Sequence, residues 1–113
     1  MDIVTEEYSI KYDAETSTIN WQGVMRLNGK EYNPIAELLN QVAALEPSKI
    51  TLNLQALEGL NSSGITMLGK FIFQIAKKKT IELLIQCGNQ MTWQKKSVKN
   101  FKRLMPKLQI EWD

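Results

Sequence analysis

Apolar and polar residues alternate through Tyr8–Tyr12 (YSIKY) and again through Thr18–Trp21 (TINW). This period of two predicts strands with one face turned inward. Asp13-Ala14-Glu15 supplies turn-forming residues between them, so the two strands read as an antiparallel pair. Gly23 interrupts the second strand. Val24–Leu27 either extends that strand or leads into a tight turn at Asn28-Gly29. At Asn33-Pro34 the period changes. Asn is expected to cap a helix there and Pro to occupy its first position. Ile35, Leu38, Leu39, Val42 and Leu45 then recur at helical spacing, with Glu37, Asn40 and Gln41 outside and Pro47 as the stop.

Alternation returns at Ile50–Leu54, a predicted strand that places Thr51 and Asn53 on its less aliphatic face. A short link follows, then Asn61-Ser62-Ser63-Gly64, then a helix carrying Ile65, Leu68, Ile72, Ile75 and Ala76 on one stripe. Lys77, Lys78 and Lys79 fall where positive charge favours a helix C-terminus. Ile81–Cys87 reads as a buried strand. Thr92 is expected to cap a last helix with Val98, Phe101, Leu104 and Met105 inward, ended by Pro106. Leu108–Trp112 closes the chain as an alternating strand. The order β-β-α-β-α-β-α-β predicts an α/β fold over residues 1–113, one domain with a mixed β-sheet and connecting α-helices packed against it. No repeat, linker or low-complexity tract interrupts it.

The chemistry on offer is narrow. The chain of 113 residues has no histidine, which removes the Ser-His-Asp and Cys-His nucleophilic systems and the common zinc sites. Its one cysteine, Cys87, cannot form an internal disulfide and reads as a small buried hydrophobe. No carboxylate set has calcium-loop spacing, and no glycine-rich phosphate loop is present. No cofactor, metal or catalytic residue is therefore expected. No stretch reaches the roughly 20 apolar residues of a membrane-spanning helix. The N-terminus lacks the layout of a signal peptide, and a cytoplasmic location is the simplest expectation.

Net charge is only +2, from 14 basic and 12 acidic residues, too little to argue for nucleic acid. Its distribution is uneven, with a basic cluster at Lys95, Lys96, Lys99, Lys102, Arg103 and Lys107. A solvated helix face accounts for that cluster. A docking patch for an acidic protein, an anionic membrane or nucleic acid is the alternative.

Asn61-Ser62-Ser63-Gly64 holds the one local arrangement that points to function. The loop enters a helix whose first amides have no partner within the helix and whose dipole is positive there. Small hydroxyl residues suit such a place as caps, with Ser63 the expected cap or first-turn residue, and Gly64 relieves crowding. A phosphate on Ser62 would add roughly −1.5 to −2 charge where the dipole tolerates it. A nucleophilic role for Ser62 lacks a base, since Lys70 lies down the following helix and the flanks do not match a hydrolase elbow.

The segment ITLNLQALEGLNSSGITMLGKF resembles the signature of STAS domains, found in anti-sigma-factor antagonists and at the ends of sulfate transporters. In that family a hydrophobic-Leu-(Asp/Asn)-Leu strand is followed eight residues later by Asp-Ser-Ser-Gly. Here Asn53 and Asn61 hold that spacing, with Ser62, Ser63 and Gly64 in register. SVKNFKRLMPKLQIEW resembles the family's last helix and strand, so the likeness runs from about Tyr8 to Trp112. It implies a non-enzymatic regulatory module that docks on a serine kinase or anti-sigma-type ATPase through residues 61–64. Ser62 would be the phosphorylated residue, and its phosphate would block docking. Asn61 stands where the family usually carries Asp, which keeps the hydrogen-bonding shape and removes the charge. The connection after Gly23 is a few residues longer than in compact antagonists. A constitutive subunit of an ATPase or transport complex, with no phosphorylation cycle, is the alternative that fits Asn61.

Overall fold

Six strands join into one sheet in the order in which they occur along the chain. In the computed structural model, which describes all residues Met1–Asp113, β1 (Asp2–Val4), β2 (Tyr8–Asp13) and β3 (Thr18–Met25) form an antiparallel meander. β3 then runs parallel to β4 (Lys49–Leu60), β4 to β5 (Glu82–Cys87) and β5 to β6 (Gln109–Trp112). The crossovers are α1 (Asn33–Ala44), α2 (Ser62–Lys78) and α3 (Thr92–Leu104). Each steps to the next strand in the same direction, and because such connections are right-handed, all three helices lie on one face. Ile19, Trp21, Leu52, Leu54, Leu83 and Ile85 meet the helices there, with Leu38, Leu39, Leu68, Ile72 and Phe101 opposite them in one hydrophobic core.

The other sheet face carries no helix. Lys11, Asn20, Asn53, Gln86 and Glu111 are successive partners across β2 to β6, a polar row in which the Asn53 amide donates to Asn20 Oδ1 at 2.9 Å.

The observed order is the expected one preceded by an extra strand. β1 has three residues and only Ile3 is partly buried, too little alternation to register as a period. β4 is also far longer than Ile50–Leu54: no link precedes Asn61, and the strand runs to Leu60. Beyond Asn53 its only strand neighbour is β3, with Gly23 opposite Leu57 and Met25 opposite Leu60. The start of α3 serves the free side. The buried Gln94 amide donates to Leu54 O at 2.7 Å, and the Trp93 indole N–H donates to Leu57 O at 3.0 Å. Gln94 Oε1 accepts the Gly88 N–H at 2.8 Å.

Gly23 does not end β3. Its φ of +94 accompanies a shift of register against β4, and a Cβ there would lie 2.9 Å from Tyr8 Cα, so the bulge requires glycine. Asn28-Gly29 is not a hairpin turn either. It opens a 3-10 turn over Gly29–Tyr32, with the Asn28 N–H donating to the Glu31 carboxylate at 2.9 Å. That turn feeds directly into α1. Asn33 therefore sits inside the helix and caps nothing. Leu45 lies past the helix end and is exposed, because Glu46, with φ of +51, turns the chain before Pro47. Thr92 likewise begins α3 without capping it, and Leu104 is part-exposed while Val98, Phe101 and Met105 are buried.

Candidate functional site

Strand β4 stops at Leu60 and α2 begins at Ser62, leaving Asn61 in extended conformation as the helix N-cap. Its Oδ1 accepts the Gly64 N–H at 3.1 Å and the Tyr32 hydroxyl at 2.5 Å, while its Nδ2 donates to Leu27 O at 2.8 Å. Only this orientation of the amide matches two donors and one carbonyl. The cap is therefore Asn61, not Ser63, because the Asn61 side chain reaches Gly64 first. The same geometry gives a reason for amide rather than carboxylate at this position. An aspartate would set a second oxygen against the Leu27 carbonyl, two acceptors with no proton between them.

Gly64 fits its expected role. A Cβ there would lie 2.7 Å from the Tyr32 hydroxyl and 2.8 Å from Leu60 Cγ, so only glycine lets α2 come this close to the end of β4.

Ser62 and Ser63 are exposed in the first turn of α2, and neither hydroxyl is engaged in a hydrogen bond within the chain. They stand at the mouth of a cleft of about 420 Å³ between α1 and α2, floored by Leu39, Met67 and Phe71. A second depression of about 460 Å³, between Arg26, Glu58 and Trp93, flanks Asn61 on the other side. The loop is thus a ridge between two hollows. Lys70 lines the first cleft, but it lies about 12 Å along the helix axis from Ser62 by the usual rise.

The helix ends add positive potential here, against the nearby carboxylates Glu31 and Glu58. α1, α2 and α3 follow parallel strands and begin at the same sheet edge, and none has an acidic residue in its first turn. Three helix N-termini therefore face the side from which Ser62 is presented. Two titratable groups are displaced. Burial pushes the Tyr32 phenol above its ordinary value, against a smaller opposing effect of its hydrogen bond with the Leu27 backbone. Burial also pushes the Cys87 thiol up to about 11, with Asp113 adding to it, so the thiol is protonated and unreactive at neutral pH. No three metal-ligating side chains converge, and no helix is long and apolar enough to cross a membrane.

The hydrogen-bonding roles of Tyr32, Leu27, Trp93 and Gln94 are not legible in the sequence. Tyr32 reaches Asn61 across 29 positions and Gln94 reaches Leu54 across 40, distances over which no local period carries information. A glutamine among lysines on a polar helix gives no outward sign of being fully buried.

No family model matches the chain, and no curated protein matches its sequence. Solved structures do. A chain from the crystal structure of diguanylate cyclase SiaD in complex with its activator SiaC from Pseudomonas aeruginosa superposes with a TM-score of 0.74 at 15% identity, covering 100% of this chain and 99% of that one. An anti-sigma factor antagonist from Mycobacterium paratuberculosis gives 0.68 at 16% identity over 94% and 88% of the two chains. SiaC of Pseudomonas aeruginosa gives 0.72 at 13% identity over 100% and 99%. The fold is that of STAS-like proteins, as the resemblance around residues 61–64 implies.

Proposed function

We propose that this chain is a non-catalytic regulatory module that docks on a protein partner through the Asn61–Gly64 loop and the outer side of α2, with phosphorylation of Ser62 as the release signal. One observation carries the reading. Asn61 performs the capping, so the exposed Ser62 hydroxyl has no structural duty and can accept a phosphate without dismantling the junction. The positive ends of the helices lower the cost of the added charge. Two solved proteins with this fold are described by their action on another protein, one as an anti-sigma factor antagonist and one as an activator in complex with a diguanylate cyclase. A serine kinase or an anti-sigma-type ATPase in the cytoplasm is the partner class that this reading assigns, with control of transcription as its outcome.

The uncharged, inward-turned Asn61 favours a second reading, permanent assembly with an ATPase or transport complex. The two separate by mass. Protein purified from its own cells should carry a phosphoryl adduct mapped to Ser62, and Ser62→Asp should lose the partner that Ser62→Ala retains. No adduct under any growth condition, with equal binding by both variants, would leave only the assembly reading.

A further inference from the structure

Charge is segregated in this molecule. α2 and α3 contain no acidic residue, whereas Lys70, Lys77, Lys78, Lys95, Lys96, Lys99, Lys102 and Arg103 all lie in them. The acidic residues occupy strands, loops and the termini, with Glu37 in α1 the exception. A net charge of +2 conceals a strongly basic helical side. Three of these cations are engaged: Lys78 pairs with Glu46 at 2.9 Å, the Lys102 ammonium donates to Leu108 O at 2.5 Å, and Lys77 lies over the Phe73 ring. No carboxylate forms a salt bridge with any of the others.

Apolar surface sits among them. Gly69 of α2 faces α3, and a Cβ there would meet Leu104 Cδ1 at 3.4 Å, an ordinary van der Waals contact. Leu104 is 38% exposed at this seam. Phe73, one turn further along α2 on the same side, is 45% exposed with the Lys77 ammonium 4.5 Å above its ring. Helical spacing puts Lys96 and Arg103 on the Leu104 side of α3. Ser62 lies on the Phe73 ridge of α2, about 16 Å up the axis. The result is a seam with an apolar floor and basic walls, and Ser62 stands at its upper end.

We infer that the α2–α3 seam is the docking surface for an acidic amphipathic helix of a protein partner, its apolar residues on Phe73 and Leu104 and its carboxylates against Lys77, Lys96 and Arg103. This rests on the proposed function and names the chemistry of the partner. A bilayer would demand more apolar surface than two part-exposed side chains beside outward lysines. A single strand would need stacking aromatics, and the nearby Trp93 has its indole N–H committed to Leu57 O; a duplex would engage the cations alone and leave Phe73 and Leu104 without a partner. The seam also supplies a physical reason for release. A phosphate on Ser62 would place negative charge at the end of a surface that binds negative charge, repelling the partner and drawing the upper lysines to itself.

The test uses the full chain and three probes: a synthetic helical peptide with leucines at i and i+4 in a glutamate background, phosphatidylserine–phosphatidylcholine vesicles, and a DNA duplex of mixed sequence. The peptide should bind best. Phe73→Ala with Leu104→Ala, and separately Lys96→Glu with Arg103→Glu, should each weaken it at least tenfold, as should replacing the peptide's leucines by serine. Circular dichroism checks that these surface variants stay folded. Tighter binding of vesicles or duplex, peptide binding indifferent to Phe73 and Leu104, or no binding at all would overturn the assignment. Ser62→Asp keeps the two proposals separable: intact seam binding that ignores this change refutes the switch alone. Cellular phosphorylation of Ser62 without peptide binding refutes the seam alone.

Discussion

The Tyr32 hydroxyl donates to Asn61 Oδ1 at 2.5 Å, joining the turn that opens α1 to the residue that caps α2. Asn61 completes the link by donating to Leu27 O, so both ends of the connection between β3 and α1 are fixed to the start of α2 at one side chain. Removing its parts should have graded effects. Asn61→Ala loses the cap, strips the Leu27 carbonyl of its amide donor and leaves the buried phenol with only its long contacts to Met25 O and the Leu27 N–H, a cost of about 2–4 kcal/mol. Asn61→Asp keeps the cap and should cost less, about 1–2 kcal/mol, through the carbonyl it faces. Ser62→Ala should stay within about 0.5 kcal/mol of the parent. Urea denaturation of the three variants checks the order; an equal loss at Ser62 would show that the hydroxyl has a structural duty after all.

Gly64→Ala sets two effects against each other. Alanine at an ordinary helical position gains up to about 1 kcal/mol over glycine. Here its methyl would enter the space of Leu60 and the Tyr32 hydroxyl, and overpacking of this kind costs about 1–3 kcal/mol. The clash should win. A lowered thermal midpoint is expected, with faster hydrogen exchange at the Gly64-equivalent amide as its cap bond to Asn61 loosens.

Gln94 replaces a strand neighbour for the far half of β4. Gln94→Leu preserves bulk but strands Leu54 O and the Gly88 N–H away from water, at about 1–3 kcal/mol for each group. The expected loss is at least about 2 kcal/mol, read as a shift in denaturation midpoint at unchanged slope. An effect below half of that would mean the β4 edge is satisfied in another way.

Alkaline pH should weaken the fold through Cys87. Its folded value of about 11 lies above the ordinary thiol value of 9.0, so in this interval the folded chain holds the proton that the unfolded chain releases. Stability is therefore full below the unfolded value and declines as pH rises from about 9 toward about 11. The raised Tyr32 phenol acts in the same direction from its ordinary value of 10.0 upward, overlapping the upper part of that interval. Cys87→Ala should flatten the first part of the decline, measurable by denaturation at pH 8 and pH 10.5. An identical pH profile for parent and variant would remove Cys87 as the cause.

Much of this architecture was readable from period and punctuation alone. Ile35 to Val42, Leu68 to Ile75 and Leu83 to Cys87 repeat with the spacing of the structures they form, because each buries a regular stripe. The failures share a cause. Residues 55–60 (QALEGL) become strand only because β3 lies on one side and Gln94 on the other, and neither constraint is local. The caps misled for a similar reason: Asn33 and Thr92 have the right chemistry, but an incoming 3-10 turn and Met91 had already set where those helices begin. At residues 61–64 the exposed serines followed from the loop's place in the chain. The inward amide of Asn61 did not, since its acceptor at Leu27 is brought there by tertiary structure.

The two outermost strands are brief, three residues in β1 and four in β6. Each has an acidic side chain within it, Asp2 and Glu111 respectively. An approaching chain seeking to lengthen the sheet would find few unpaired backbone groups and an unfavourable charge at either border. Brevity at the margins thus guards against fibrous growth without any insertion to shield them.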